Sequence, residues 1–460
     1  MQVRVLRSED DLPIALIFVA LAALACLAPP QSDTWFHLRA GREIWEGGAL
    51  ITFERFSHTA AGRPWQNHEW LSQLLLYGAY SAGGPILVTL LTGAAAFAAV
   101  VWSWRLVRGP LELRLAMLLS LAFLTPPEWA VRPQALSLLL FMVAVHLVLR
   151  NRIGWLPPLI AVWANAHGVV LFGVIVAGVN AVDAVIWARV GRGRALAIAL
   201  LCAAAPMASP LGWHYWPRVV QTVSEARGLG IHEYRSAFEL AAWPFWVILL
   251  ALAASVIARG GRLRDRAHDD RLLVLTAAVL GVASITSIRN APFFILVAAP
   301  ALSRLLDRPP RRTQPRAAGA PTAAMVAIAA IVATTSVVYR WRDHGAHLGW
   351  QPVSPLVADA IRRCPGPIFN TYAEGGALIW FVPEQPVFVD GRVEVYPLPL
   401  LARSRRADLT GEYQELFDDY SLRCAVVPTG SPMDNALRRD ASMQKWFTDP
   451  EWSLFVASTP

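Results

Sequence analysis

Two carboxylates and two imidazoles stand close together near the start of the chain. Asp33 and His37 lie in Ser32-Asp33-Thr34-Trp35-Phe36-His37-Leu38. His68 and Glu69 lie in Pro64-Trp65-Gln66-Asn67-His68-Glu69-Trp70. Three chemistries are open to such a set. Asp33 can act as general base on an acceptor hydroxyl, with His37 or His68 orienting, for about 10²–10⁴ in rate. Carboxylate and histidine can hold a divalent cation, which ranks lower because no spacing matches a metal motif. The same groups can simply hydrogen-bond the loop shut. No Gly-rich phosphate loop, Ser-His-Asp order or Cys-x-x-Cys motif is present.

These residues must be held by local elements. Ser32 or Asp33 reads as a helix N-cap, and residues 34–46 read as the helix that follows. Asp33 and His37 then sit one turn apart on one face. Trp35, Phe36, Ile44 and Trp45 give that helix an apolar side, suited to lying along a membrane interface. A second amphipathic helix starts at Trp70 and runs to Tyr80. The competing account of Asp33 is that it is only a cap.

The interface is expected because the chain is 55% hydrophobic and 16% charged, below the roughly 25% charge of soluble domains. Residues 12–29, 85–104, 134–149, 242–258, 272–288 and 321–339 carry no charge. Uncharged stretches of roughly 18 residues read as membrane spans. The first is a retained anchor rather than a signal peptide: it follows Glu9-Asp10-Asp11, and its small-residue site lies inside the apolar run. The net charge of +8 is not a nucleic-acid signature. Arginines gather at Arg4 and Arg7 and in clusters at 105–114, 150–152, 189–194, 259–271 and 304–316, the pattern of cytoplasmic loops. If every cluster is cytoplasmic, crossing parity gives eleven spans, with residues 31–84 outside.

Three of the inter-cluster segments are about 35 residues long, a helical reach of roughly 52 Å, against roughly 60 Å for two full crossings. Their tips should sit below the outer surface. The tips are polar: Glu128 and Arg132 in the first, Asn165 and His167 in the second, Arg289 and Asn290 in the third. Ionisable groups at such depth point to function, unless each tip is a plain solvated turn. Arginine's planar fork binds phosphate, and it also pairs with acids such as Glu128. The outer loop 209–240 adds Trp213, Tyr215 and Trp216, either an interfacial belt or a sugar-stacking platform.

Residues 340–460 read as a small extracytoplasmic α/β domain. Strands are expected at 367–370, 386–389, 424–428 and 453–457, and helices at 373–381, 412–420 and 433–439. Residues 308–316 read as a cytoplasmic linker. Cys364 and Cys424 lie in the tail, where a disulfide is permitted.

These features together resemble the GT-C superfamily of integral membrane glycosyltransferases, which use polyprenyl-phosphate-linked sugars. The resemblance rests on Asp33 in the first outer loop, Glu69 in Asn67-His68-Glu69-Trp70, and the layout of spans and tail. The tail segments Phe369-Asn370-Thr371-Tyr372-Ala373-Glu374-Gly375-Gly376 and Val387-Phe388-Val389-Asp390-Gly391-Arg392 look like those of bacterial membrane proteins placed near the superfamily. Asp33 stands alone where many members carry an acidic pair, and loop 209–240 offers Glu225, Glu233 and Glu239 without one.

The resemblance implies an α-helical polytopic GT-C-like domain over 1–339 and a small α/β domain over 340–460. It implies inverting transfer from a polyprenyl-phosphate-sugar donor to a glycan, lipid or protein acceptor at the outer face of the cytoplasmic membrane. Asp33 and Glu69 are the expected catalytic pair. His37, His68, Glu128, Arg132, Asn165, His167, Arg289 and Asn290 are the expected substrate-binding residues, lining one outward-facing hollow with Asp33. A divalent cation is left open, and no nucleic-acid partner is expected. The rival classes are a transporter or flippase for lipid-linked glycans and a non-catalytic assembly protein. Transporters tend to show repeats and midplane ionisable groups; this chain shows no repeat, and Asp183 and His146 fall near inner span ends.

Overall fold

The structure is a computed structural model describing residues 11–187, 191–239, 242–259, 264–307 and 320–458. The linker expected at 308–316, with Arg4, Arg7 and Arg189, lies outside these residues. In chain order the first helices are α1 Leu12–Ala25, α2 Ser32–Gly47, α3 Trp70–Leu106, α4 Leu111–Leu124, α5 Pro133–Leu149, α6 Leu156–Ala164, α7 Leu171–Ile186, α8 Arg192–Ala204 and α9 Tyr215–Gly228. Then follow α10 Trp243–Arg259, α11 His268–Thr286, α12 Ala291–Leu306 and α13 Ala320–Trp341. The last stretch holds α14 Pro355–Arg362, β1 Ile368–Asn370, α15 Gly375–Phe381, α16 Leu398–Thr410, α17 Gln414–Asp419, β2 Cys424–Pro428, α18 Pro432–Arg439, β3 Met443–Thr448 and β4 Trp452–Ala457.

The chain divides into two compact units. The first comprises Met1–Pro29, Gly83–Tyr215 and His232–Leu348; the second comprises Pro30–Ala82, Trp216–Ile231 and Gly349–Pro460.

The first unit is helical and centred on α12, whose residues 291–305 are all buried. It packs against α4, α5, α10 and α11. An apolar helix buried on every side belongs at the heart of a bundle. Ser103 Oγ donates to the Leu296 carbonyl at 2.7 Å, satisfying a hydroxyl inside that core. At another point Asp183, fully buried, accepts from Arg271 Nε at 2.6 Å and meets His268 Nδ1 at 2.6 Å. A buried carboxylate needs such partners.

Trp70–Leu106, Gly168–Ile186 and Pro321–Trp341 are each long and apolar enough to cross a membrane. The first is broken at Gly83–Gly84, where Gly84 takes φ +61° and ψ −156°, a conformation essentially reserved for glycine. Pro85 then opens the span expected from 85. Among the described residues, length and composition support these three spans, or four if the bent pair Arg192–Ala208 and Gly212–Gly228 forms one, and the eleven expected from arginine parity are not confirmed. The shorter apolar helices of 10–17 residues reach only about 15–26 Å. Breakers stop them, such as Pro126 and Pro127 after α4 and Gly168 after α6.

The second unit holds a four-stranded sheet in the order β1-β2-β4-β3, with β1 parallel to β2 and the other pairs antiparallel. Cys364 and Cys424 are joined, with Cα atoms 6.2 Å apart. The strand expected at 386–389 is not one. Val387 makes only an isolated parallel bridge to Ser57. The Asn370 side chain takes up the neighbouring backbone instead: Phe388 N donates to its Oδ1 at 2.7 Å, and its Nδ2 donates to the Val389 carbonyl at 2.7 Å. A side-chain amide thus replaces a ladder rung. Strand β3 and helices α14 and α16 were not expected from the sequence. The alternating exposure of β3 is weak, since most of Met443–Thr448 faces outward.

Pro30–Ala82, expected to form the first outer loop, belongs to this second unit. Gly376 lets α15 approach α2 so closely that a Cβ there would lie 2.1 Å from the Ser32 carbonyl oxygen. Ser32 Oγ donates to the Ala373 carbonyl at 2.6 Å. Gly376 is therefore where the start of α2 docks, while Gly375 lies against the Val389 carbonyl.

Candidate active site

The second unit positions Asp33 from two sides. Helix α2 runs from Ser32 to Gly47, and its N-cap is Gln31, not Ser32 or Asp33. Gln31 N donates to Thr34 Oγ1 at 2.8 Å. Asp33 is thereby released from capping and sits in the first turn, where the helix dipole favours a negative charge. On its other side stands Gly391: a Cβ added there would lie 2.3 Å from Asp33 Oδ1.

Gly391 is held by a buried network. Arg392 Nη2 donates to Asp390 Oδ2 at 2.6 Å and to Glu54 Oε1 at 2.8 Å, and Arg392 Nε donates to Asp390 Oδ1 at 2.8 Å. Tyr396 donates its hydroxyl to Asp390 Oδ2 at 2.5 Å. The Arg392, Asp390 and Glu54 side chains are all fully buried in their ion pairs. Burial works against the Arg392 charge, but Asp390 and Glu54 outweigh it and hold its pKa well above the ordinary value. The guanidinium also lies over the Trp65 ring at 4.7 Å and the Phe56 ring at 4.9 Å. Tyr372 donates to the Gly391 carbonyl at 2.8 Å.

One turn along α2, buried His37 faces Glu69, with Nε2 3.8 Å from Oε2. Its Nδ1 is 3.5 Å from Gln73 Nε2, and Gln73 accepts from Asn67 at 2.6 Å. His68 lies apart from this pair, beside Glu394 and Arg218. Burial lowers its pKa, Glu394 and the Gln66 backbone offset that in part, and Arg218 adds to it. Trp65 Nε1 donates to Glu394 Oε1 at 3.2 Å.

The first unit brings together a separate group. Arg132 caps α5, with Pro133 at the first helical position. Its Nη2 lies 3.4 Å from Glu128 Oε2 and 3.5 Å from Glu233 Oε2. Arg289 Nη1 donates to Glu233 Oε1 at 2.6 Å and to the Tyr234 hydroxyl at 2.5 Å. One carboxylate therefore bridges both arginines. Backbone bonds fix it there: Ile288 N donates to the Arg235 carbonyl at 3.0 Å, and Ala237 N to the Ile285 carbonyl at 3.0 Å. Burial opposes the Glu233 charge, yet Arg289 and Arg132 prevail and hold it below the usual carboxylate range.

The other expected binding residues have backbone or core partners. Asn290 Nδ2 donates to the Ala283 carbonyl at 2.9 Å, and Asn165 Nδ2 to the Ala161 carbonyl at 2.9 Å. Buried His167 pairs through Nδ1 with Ser137 Oγ at 2.9 Å. Among the described residues, no three His, Cys, Asp or Glu side chains are grouped to hold a metal ion.

The sequence reading missed Glu54, Glu233, Gly391 and the Asp390–Arg392–Tyr396 network as site-forming residues. The Asp-Gly-Arg run was visible, but its partner Glu54 is 338 positions away. Glu233 stood unremarked among three acids of one loop.

The first unit is apolar and helical, and the second combines residues 30–82, residues 216–231 and a small mixed sheet. No family model matches the sequence, and no curated protein matches it. Solved structures do. The oligosaccharyltransferase AglB from Archaeoglobus fulgidus, in complex with an inhibitory peptide and a dolichol-phosphate, aligns with a TM-score of 0.54 at 12% identity, covering 90% of this chain and 69% of that one. ArnT from Cupriavidus metallidurans, bound to undecaprenyl phosphate, aligns at 0.50 and 16% identity over 96% of both chains. The arabinofuranosyltransferase AftD from Mycobacteria aligns at 0.52 and 14% identity, covering 98% of this chain and 40% of that one. The chain has the GT-C fold that its sequence resembles.

Proposed function

We propose that this protein is a membrane glycosyltransferase that moves a sugar from a polyprenyl-phosphate-linked donor to an acceptor hydroxyl at the outer face of the cytoplasmic membrane. The observation that carries this reading is the treatment of Asp33. The carboxylate is excused from capping, set in a helix first turn, and faces a glycine whose Cβ, if added, would force it to shift. Such a contact matches a group whose position matters for chemistry. The GT-C fold supports the reading, as do the dolichol-phosphate and undecaprenyl phosphate bound to AglB and ArnT.

In the proposed reaction Asp33 takes the proton of the acceptor hydroxyl as its oxygen attacks the anomeric carbon. The bond between that carbon and the phosphate oxygen breaks, and configuration inverts. The leaving polyprenyl phosphate carries one more negative charge than it did in the donor. Arg132 and Arg289 are assigned to that phosphate, because guanidinium forks bind its oxygens and stabilise the developing charge. Glu69, the second carboxylate of the loop, is assigned to orient His37, whose Nε2 lies 3.8 Å from it. No step is routed through a metal ion. The N-terminus is assigned to the cytoplasm and the second unit to the outside, where the Cys364–Cys424 disulfide is chemically at home.

Mass analysis of envelope glycans tests this in cells carrying the wild-type gene, Asp33→Asn or no gene. The expected profile of Asp33→Asn matches the deletion, with the variant protein present at normal level in the membrane. An unchanged glycan profile with Asp33→Asn would falsify the assignment.

A further inference from the structure

A hollow of about 510 Å³ opens in the first unit, lined by Asn151, Arg152, Gly154, Trp155, Pro158 and Arg194. Its chemistry is cationic with one aromatic wall. Arg194 reaches across to the 151–155 turn, where a Cβ on Gly154 would lie 3.9 Å from its Nη2. Neither Arg152 nor Arg194 has a carboxylate partner among the described residues, unlike Arg132, Arg271, Arg289 and Arg304 of the same unit. Two guanidinium groups beside one hollow, both without an acid, call for an anion.

Helix direction adds to this. Helices α6 and α8 both begin at the hollow, at Leu156 and Arg192. Both end together at the far side, where Asn165 Nδ2 lies 3.4 Å from the Ala208 carbonyl. The first turn of α8 therefore presents its positive end to the opening, whereas the prolines at 157 and 158 leave α6 without N–H groups there. Away from the opening the helices turn apolar and stay uncovered: Val162 on α6, and Leu196 and Leu200 one turn apart on α8, are exposed. Trp155, at the rim, is 65% exposed. A charged pocket over exposed aliphatic helix surface, with a Trp at the boundary, has the profile of a lipid seated by head and chains.

We propose that this hollow binds the phosphate of an anionic phospholipid in the cytoplasmic leaflet, with the acyl chains along α6 and α8. Its arginines belong to two of the clusters that the charge distribution assigns to the cytoplasmic side. The site is independent of the proposed transfer chemistry and would serve to anchor the inner end of the bundle.

The test uses the purified full-length protein in nanodiscs containing phosphatidylglycerol and phosphatidylcholine, with native mass spectrometry to count retained lipids. The wild type should retain phosphatidylglycerol in preference to phosphatidylcholine. Arg152→Gln and Arg194→Gln should each weaken that retention about fivefold, the effect of one basic residue near an anionic surface. Arg105→Gln with Arg108→Gln, two exposed arginines outside the hollow, should leave it unchanged. All four positions are exposed, so melting temperatures should match the wild type. Equal loss in both pairs would mean general surface attraction and overturn the site. Displacement of the lipid by millimolar glycerol phosphate would identify a soluble-anion site and overturn the lipid assignment.

Discussion

Gly391 stands against the Asp33 carboxylate with no room for a side chain between them: a Cβ at 391 would lie 2.3 Å from Oδ1 and 3.4 Å from Cγ. Gly391→Ala must therefore displace either the carboxylate or the 390–392 turn. A misplacement of about 1 Å at a reacting group costs roughly 10²-fold in rate. Sugar transfer by Gly391→Ala should fall by that order while the protein stays folded, read from the glycan profile beside a melting curve. Wild-type transfer with Ala at 391 would show that the contact does not matter.

Arg132 and Arg289 share the Glu233 carboxylate. In the proposed reaction they exchange it for a donor phosphate. Arg289→Gln should then weaken retention of undecaprenyl phosphate by about tenfold, the loss of one charge-assisted bond of roughly 1.5 kcal/mol. Glu233→Gln, which removes the competing anion, should tighten it. Native mass spectrometry of the lipid-loaded protein reads both, and movement of the two variants in the same direction would count against phosphate exchange.

The Arg392 network is a matter of stability. Arg392→Met leaves Glu54 and Asp390 buried without their counter-charge, a loss of about 3–5 kcal/mol. The expected outcome is a large drop in melting temperature or loss of the protein from the membrane. Tolerance of Met at 392 would mean the two acids find other partners.

Glu374 and Asp408 give the second unit a pH dependence. Burial pushes Glu374 up to about 7. Burial, with Glu374 as a neighbouring charge, pushes Asp408 up to about 7. Both are higher than in the unfolded chain, so their stabilising contribution is full below about pH 4 and is lost as pH rises through about 7. Asp408→Asn should raise the melting temperature at pH 8 relative to wild type, by on the order of 1 kcal/mol of stability. The gain should shrink at pH 5 and vanish below about pH 4. A gain that does not vary with pH would point to packing instead.

Reduction should act on the same unit. The Cys364–Cys424 bond closes a separation of 60 residues and ties the approach to β1 to the first residue of β2. Cys364→Ala with Cys424→Ala should cost about 2–4 kcal/mol, and dithiothreitol should lower the melting temperature of the wild type but not of the double variant.

Local signals were legible in the sequence wherever local forces decide. The helix expected at 34–46 forms as Ser32–Gly47, because its apolar spacing and end glycine act within the segment. The break before Pro85 was legible for the same reason. What escaped was decided by partners far along the chain. Asp33 reads as a cap until Gln31 and Thr34 are seen to supply the capping bond. Residues 386–389 read as a strand until Asn370 takes their backbone groups. Arg132 pairs with Glu128, as its spacing suggested, but the second acid, Glu233, comes from a loop 101 residues away. The number of spans was not legible in the same way, because charge clusters mark sides of a membrane, while Pro and Gly within each segment set how far a helix extends.

The Glu54–Arg392 ion pair also sets a timetable for biogenesis. The two residues leave the ribosome 338 positions apart, roughly 17–68 s at 5–20 residues per second. Throughout that interval Glu54 lacks its guanidinium partner and Asp33 lacks the Gly391 contact. The second unit can therefore mature only after residue 392 has been made, and a nascent chain stalled before it would expose Glu54 and the aromatic rings around it to proteases and chaperones.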